Sequence, residues 1–229
     1  MSKLMRIASA VSLAGAMMWA LPAQAGVMNV TVWQKPTPGS DINSANQKAL
    51  PTNAFLQAGA PIAQFVYNGS INWKQTSQVL NTLRDFIGSG GGSISGCVGT
   101  SCVNATTLAA TTLSQGGFSL ASLFRIEFTT PVGGNFSVDH DDGVSIWNFN
   151  NTVSYLDSST PTSEKTSNFN LPGAGTYNIW FVQANGAPTV LETTVADRSQ
   201  VPEPSVVALM AMALLSLFGL RFMRRRSEA

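Results

Sequence analysis

The sequence predicts a mainly β chain: an antiparallel β-sandwich, jelly-roll-like, with one short amphipathic helix, an N-terminal signal helix and a C-terminal transmembrane helix. Three observations carry this. From Gly117 onward, short alternating segments follow one another, separated by Gly, Asn, Asp and Pro. One stretch alone has helical spacing and no strand-helix unit recurs, which argues for sheet packed on sheet. The apolar residues, 44% of the chain, concentrate at the two ends, where targeting segments lie.

At the start, Lys3 and Arg6 precede an uncharged apolar run from Ile7 to Leu21, and Ala23-Gln24-Ala25 then places small residues where a signal peptidase inspects them. Residues 1–25 therefore read as a cleaved secretory signal, with Gly26 as the new N-terminus. An uncleaved anchor needs a longer apolar span and no such exit site.

The segment 26–200 is long enough for one domain with its own core. It carries seven basic and ten acidic side chains, a net charge of about −3 that excludes nucleic acid as a natural partner. Its two cysteines, Cys97 and Cys102, close a short Gly-containing loop, and in a secreted chain they read as a local disulfide.

Val27 to Trp33, rich in Val and Thr, is the first expected strand. Residues 34–61 are polar and broken by Pro36, Pro38, Gly39, Pro51 and Gly59, and read as a long surface connection. Ile62 to Tyr67 and Ile71 to Trp73 read as two strands joined by the Asn68-Gly69 turn. Thr76 to Ile87 is the helical stretch: Val79, Leu80, Leu83, Phe86 and Ile87 recur at three- and four-residue spacing, and Ser77 can cap the start. Gly88-Ser89-Gly90-Gly91-Gly92-Ser93 trails a helix instead of joining strand to helix, so it reads as a flexible connector and not a dinucleotide fingerprint.

Leu123 to Thr129 sets Phe124, Ile126 and Phe128 on one face against Arg125 and Glu127 on the other, a half-buried strand. Asn135 to Asp139 and Val144 to Phe149 flank Asp141-Asp142-Gly143. Thr176 to Val182 and Thr189 to Val195 flank Ala184-Asn185-Gly186-Ala187-Pro188.

Asp139-His140-Asp141-Asp142-Gly143 gathers three acids and the single histidine of the chain into five residues. Strand alternation sends Phe136, Val138 and His140 inward and Ser137, Asp139 and Asp141 outward, against all four polar side chains gripping one ion. Asp-Gly between alternating apolar runs is a strong hairpin signal, so a plain turn stands beside a metal site as a reading.

The C-terminal segment runs Val201-Pro202-Glu203-Pro204, sixteen uncharged residues from Ser205 to Leu220, then Arg221 and the cluster Arg224, Arg225, Arg226. At about 1.5 Å per residue the run, extended by Phe222 and Met223 behind a snorkelling Arg221, just crosses a bilayer, with the arginines cytoplasmic. This order over residues 201–229 resembles the PEP-CTERM sorting signal of Gram-negative bacteria. The resemblance implies processing by an exosortase near the Pro-Glu-Pro, transient membrane anchoring through the C-terminal helix, and a destination at the cell surface or in an exopolysaccharide-associated matrix.

A second resemblance lies in the mature segment. Gly134-Asn135-Phe136-Ser137-Val138 leading into Asp141-Asp142-Gly143-Val144-Ser145-Ile146-Trp147, then Gly173-Ala174-Gly175-Thr176-Tyr177-Asn178-Ile179 and Asn185-Gly186-Ala187-Pro188, is similar to the protective-antigen-type insert domain of toxins, β-glucosidases and flocculins. In its lectin members tandem aspartates joined by a cis peptide hold a Ca²⁺ that also meets sugar hydroxyls. Carried over, this points to Asp141 and Asp142 as metal ligands and no further; Asn185, read from its place in a turn, could offer an amide oxygen as a weaker third ligand, and Asn-Gly is equally a tight-turn signal. The resemblance implies calcium-dependent binding of an extracellular polysaccharide, and a structural or adhesive sandwich without a ligand site is the alternative. Trp147, Trp180 and Tyr177 are either sugar platforms or core.

Catalysis is not expected. A serine triad must use His140, and no Gly-x-Ser-x-Gly elbow presents a serine. A glycan hydrolase would draw two acids from Asp139, Asp141 and Glu127, and their spacing selects no pair.

Overall fold

Alternation of buried and exposed side chains along the strands sets the architecture. The computed structural model describes residues 26–37, 45–76, 82–95 and 105–195, and within them two antiparallel sheets share one apolar core. The larger sheet holds β1 (Val27–Pro36), β2 (Ala63–Asn68), β4 (Ser93–Ser95), β5 (Leu120–Thr130), β7 (Val144–Asn148), β8 (Ser154–Ser158) and β10 (Gly175–Gln183), in the order β4-β2-β1-β5-β10-β7-β8. The smaller holds β3 (Asn72–Gln75), β6 (Gly134–Asp141), β9 (Lys165–Leu171) and β11 (Thr189–Thr193), in the order β3-β11-β6-β9.

The inward faces are the expected ones. Phe124, Ile126 and Phe128 of β5 are buried, and Ile126 sits in register with Val30 of β1 on one side and Ile179 of β10 on the other. Trp73 of β3 meets them from the smaller sheet, edge-on to Tyr67 at 5.2 Å and tilted against Phe124 at 6.4 Å. Rings this close gain quadrupole-directed contact beyond the area they bury.

The turn signals mark corners, not hairpins. β2 and β3 lie in different sheets, and so do β6 and β7, and β10 and β11. A turn sequence reports that the chain reverses; which sheet it joins depends on where the next apolar face finds cover. Here each corner carries the chain across the core, so the hairpin expected at Asn68-Gly69 and the plain hairpin reading of Asp-Asp-Gly are both corrected.

More than one helix is present. Among the described residues there are α1 (Ala54–Gln57), α2 (Leu83–Gly88), α3 (Ala105–Ala110) and a 3₁₀ turn at Ala45–Gln47. The expected helix over 76–87 begins at Leu83, because Thr82 is extended (φ −98°, ψ 155°) and its hydroxyl accepts the Asp85 N–H at 3.2 Å, as an N-cap does. The proposed cap, Ser77, lies outside the described residues. Leu83, Phe86 and Ile87 bury the expected face, with Phe86 stacked on Phe181 at 5.9 Å.

Residues 34–61 are not a mere surface connection. β1 runs on to Pro36, and Ala49 and Leu56 cover Ala121, Leu123, Trp180 and Val182 on the outer side of the larger sheet. Asn53 holds that cover, its side chain accepting the Leu56 N–H at 3.0 Å and donating to the Lys48 carbonyl at 2.8 Å. The glycine-rich stretch is likewise packed: β4 pairs with β2, and a Cβ on Gly92 would stand 2.4 Å from the Tyr67 ring. Only a residue without a side chain fits there.

β8 and β9 carry no signal legible in the sequence. On β9 only Phe169 and Leu171 are buried, too short a run for a period of two to register. The expected signal segment 1–25, the disulfide between Cys97 and Cys102, and the Val201–Pro204 motif with its apolar run lie outside the described residues. Among the described residues no helix is long and apolar enough to cross a membrane.

Candidate functional site

The Asp-Asp-Gly corner joins the two sheets where β6 ends and β7 begins. Phe136, Val138 and His140 point inward as expected, and His140 is fully buried. Its Nδ1 donates to the Asp142 carbonyl at 2.6 Å, and in the neutral ring Nε2 then accepts from the Ser167 hydroxyl at 2.9 Å. Burial holds its pKa below the ordinary 6.5, outweighing the hydrogen bond to Asp142. The imidazole, buried between the two strands, thus stitches β6 to β9.

Asp141 departs from expectation. Strand alternation points it outward, yet it is only 5% exposed, and the Glu164 backbone N–H, just ahead of β9, donates to its carboxylate. Asp142 is 1% exposed. The peptide between the two is cis. Gly143 follows because nothing larger fits: a Cβ there would lie 2.1 Å from the Ser159 carbonyl oxygen.

The two carboxyls have different settings. Asp142 Oδ2 accepts two backbone N–H groups, Ala184 at 2.6 Å and Asn185 at 2.9 Å, which ties the β6–β7 corner to the β10–β11 corner. Its Oδ1 is buried with no hydrogen-bond partner among the described residues. Burial pushes the Asp142 pKa up to about 6 against the pull of those two donors. The Asp141 pKa is pushed up to about 7, by burial first and then by the charges of Asp142 and Glu164. Two adjacent buried carboxyls with raised pKa values lack the compensation that a cation supplies.

Asn185 is brought to Asp142, but through its backbone; its side chain is exposed. Among the described residues no three His, Cys, Asp or Glu side chains converge. The donor set is therefore two hard carboxylates, one with an orphaned oxygen. That set suits a hard cation such as Ca²⁺ and leaves most of its six to eight oxygen positions to other donors. Trp180 and Tyr177 are buried, Trp180 stacked on Trp33 at 6.1 Å and Tyr177 on Phe128 at 5.8 Å, so they belong to the packing. Trp147 is half-buried, with its indole N–H on the Ser145 hydroxyl at 2.8 Å.

Sequence reasoning missed the segments that close this end of the sandwich. The Ala49 N–H donates to the Ser159 carbonyl at 2.9 Å, the Ser145 hydroxyl donates to the Ala49 carbonyl, and Ser114 donates its hydroxyl to the Ala184 carbonyl at 2.7 Å. Gln183 completes this last contact by accepting the Ser114 N–H at 2.9 Å. A polar residue that closes an apolar run, as Gln183 does after Ile179, Trp180, Phe181 and Val182, is the available signal.

No protein-family model and no curated protein matches the chain. Among solved structures it is similar to a PA14 sugar-binding domain from an RTX adhesin, at 16% identity and a TM-score of 0.47, over 74% of this chain and 88% of that one. It is similar to the PA14 domain of the antifreeze protein MpAFP at 15% identity and a TM-score of 0.43, over 79% of this chain and 88% of that one. A third is the epithelial adhesin 9 A domain from Candida glabrata in complex with Galβ1-3GlcNAc, at 11% identity and a TM-score of 0.39, over 76% of this chain and 83% of that one.

Proposed function

We propose that the chain is an exported cell-surface or matrix protein that binds extracellular carbohydrate through a Ca²⁺ held by Asp141 and Asp142. The observation that carries this reading is the buried Oδ1 of Asp142, without a partner among the described residues, beside the buried Asp141 carboxyl. Two such groups ionise readily only next to positive charge. A bound Ca²⁺ supplies that charge and, on its open side, ligand positions that sugar hydroxyls can fill. The signal-like N-terminus and the PEP-CTERM-like tail support export, processing by signal peptidase and exosortase, and a Cys97–Cys102 disulfide.

The test uses the full-length chain on mannose-, galactose- and glucose-substituted agarose. Retention on at least one of them in calcium, release by EGTA, and no retention of Asp142→Asn support the proposal. Equal retention of the protein in EGTA removes it.

A second reading is that the sandwich is structural or adhesive without a metal. It rests on the Asp142 Oδ2 bonds to Ala184 and Asn185, which by themselves tie two corners together. Under that reading calcium changes neither retention nor stability.

A further inference from the structure

Where β6 pairs with β9, Asn135, Asn168 and Asn170 expose their side chains in neighbouring rows. An open hollow of about 800 Å³ lies over β6 and β9, and no charged side chain lines it. Cross-strand register builds it in rows: Asn135 opposite Asn170, and Ser137 opposite Asn168 with Thr194 beside it. Asn170 Nδ2 donates to Asn135 Oδ1 at 2.8 Å, which fixes both amides and leaves the Asn170 oxygen and the Asn135 N–H groups pointing to solvent. The Asn168 side chain is exposed with no hydrogen bond among the described residues. Tyr155, half-buried on β8, stands at the edge, its ring held edge-on to Tyr177 at 5.6 Å. Phe136 and Phe169, buried and stacked at 5.8 Å, back the two strands from the core side.

We propose that this hollow is a second, metal-independent binding site for a neutral polysaccharide chain. Amides and hydroxyls in successive rows, about 7 Å apart along the strands, offer donors and acceptors in the repeating pattern that a chain of sugar hydroxyls needs. The Asn135–Asn170 pair, fixed by its mutual hydrogen bond, loses little entropy on binding. The ring at the edge offers an apolar surface to a sugar face. A neutral ligand is favoured over an anionic one because the hollow holds no base, and the next row towards the corner carries Asp139. The site stands apart from the calcium reading.

The test is affinity electrophoresis of the full-length chain in native gels containing hydroxyethyl cellulose, galactomannan, xyloglucan or polygalacturonate, all in EDTA, so that retardation cannot come from the Asp141–Asp142 corner. At least one neutral polymer should retard the protein and polygalacturonate should not. Asn168→Ala and Tyr155→Ala should each weaken retardation by about fivefold, the loss of a polar contact in the first and of a ring surface in the second, with the near-ultraviolet spectrum of the folded protein retained. No retardation in any neutral gel, stronger retardation by polygalacturonate, or undiminished retardation of both variants overturns the proposal. Because calcium is absent throughout, none of these outcomes bears on the calcium reading.

Discussion

The Asp142 carboxylate accepts the backbone N–H of Asn185 at 2.9 Å, across 43 residues of chain. With the parallel bond from Ala184, it fastens the corner that leaves β6 to the corner that enters β11. The same side chain that would hold a metal with one oxygen holds the fold with the other.

That division separates two substitutions. Asp142→Asn keeps an oxygen for the two N–H groups and removes a buried charge, so urea unfolding should place it within about 1 kcal/mol of the parent. Asp142→Ala strands both buried donors and should cost about 2–4 kcal/mol. Equal stability of the two variants would show that the corner bonds matter little.

Stability should depend on pH with a definite sign. The folded pKa values of Asp141 and Asp142, about 7 and about 6, lie above the ordinary 3.8, so between those limits the folded state binds more protons than the unfolded chain. In EDTA, stability should therefore fall as pH rises from about 4 to about 7. Calcium binds the ionised pair and should restore what is lost, so the calcium-induced rise in melting temperature should be present at about pH 8 and absent at about pH 5. His140, with its pKa lowered, opposes the first trend only below its ordinary 6.5, where the unfolded chain takes up the proton more readily. Melting curves at both pH values, with and without calcium, check the signs.

Gly143→Ala tests the corner from its other side. The added Cβ meets the Ser159 backbone carbonyl at 2.1 Å, a contact that no rotamer relieves. The variant should lose about 3 kcal/mol or more, or fail to fold, by overpacking against a backbone that cannot yield. A melting temperature equal to the parent's would mean that the 159–164 segment moves aside freely.

Leu56→Ala tests the cover over the larger sheet. Leu56 is fully buried against Leu123, Trp180 and Val182, so truncation should cost about 2–5 kcal/mol, measured by urea unfolding. A cost below about 0.5 kcal/mol would return residues 45–57 to the role of a surface connection.

What the sequence made legible follows where the physics is local. Alternation in β5 and β10, the inward His140 and the tandem aspartates could be read because a period of two in Phe124, Ile126 and Phe128 is a one-strand property. The pairing of corners could not. Nothing local says that Asp142 will meet Ala184, or that Asn68-Gly69 leads from one sheet into the other; both depend on which faces meet across the core. Leu56 was hidden for the same reason: a short Ala-Phe-Leu run between Asn53 and Gln57 does not say in sequence which of its side chains is covered. Asp141 was misplaced because strand alternation says which face a side chain takes, and not whether a later segment, here the one ending at Glu164, comes to lie over it.

Calcium binding at the Asp141–Asp142 corner is read without any sugar present by isothermal titration of the full-length chain with CaCl₂ alone, at about pH 8. One saturable site per chain in the parent, lost in Asp142→Asn while that variant remains folded, is the predicted result. No calcium heat in the parent, or the same isotherm in Asp142→Asn, would contradict it.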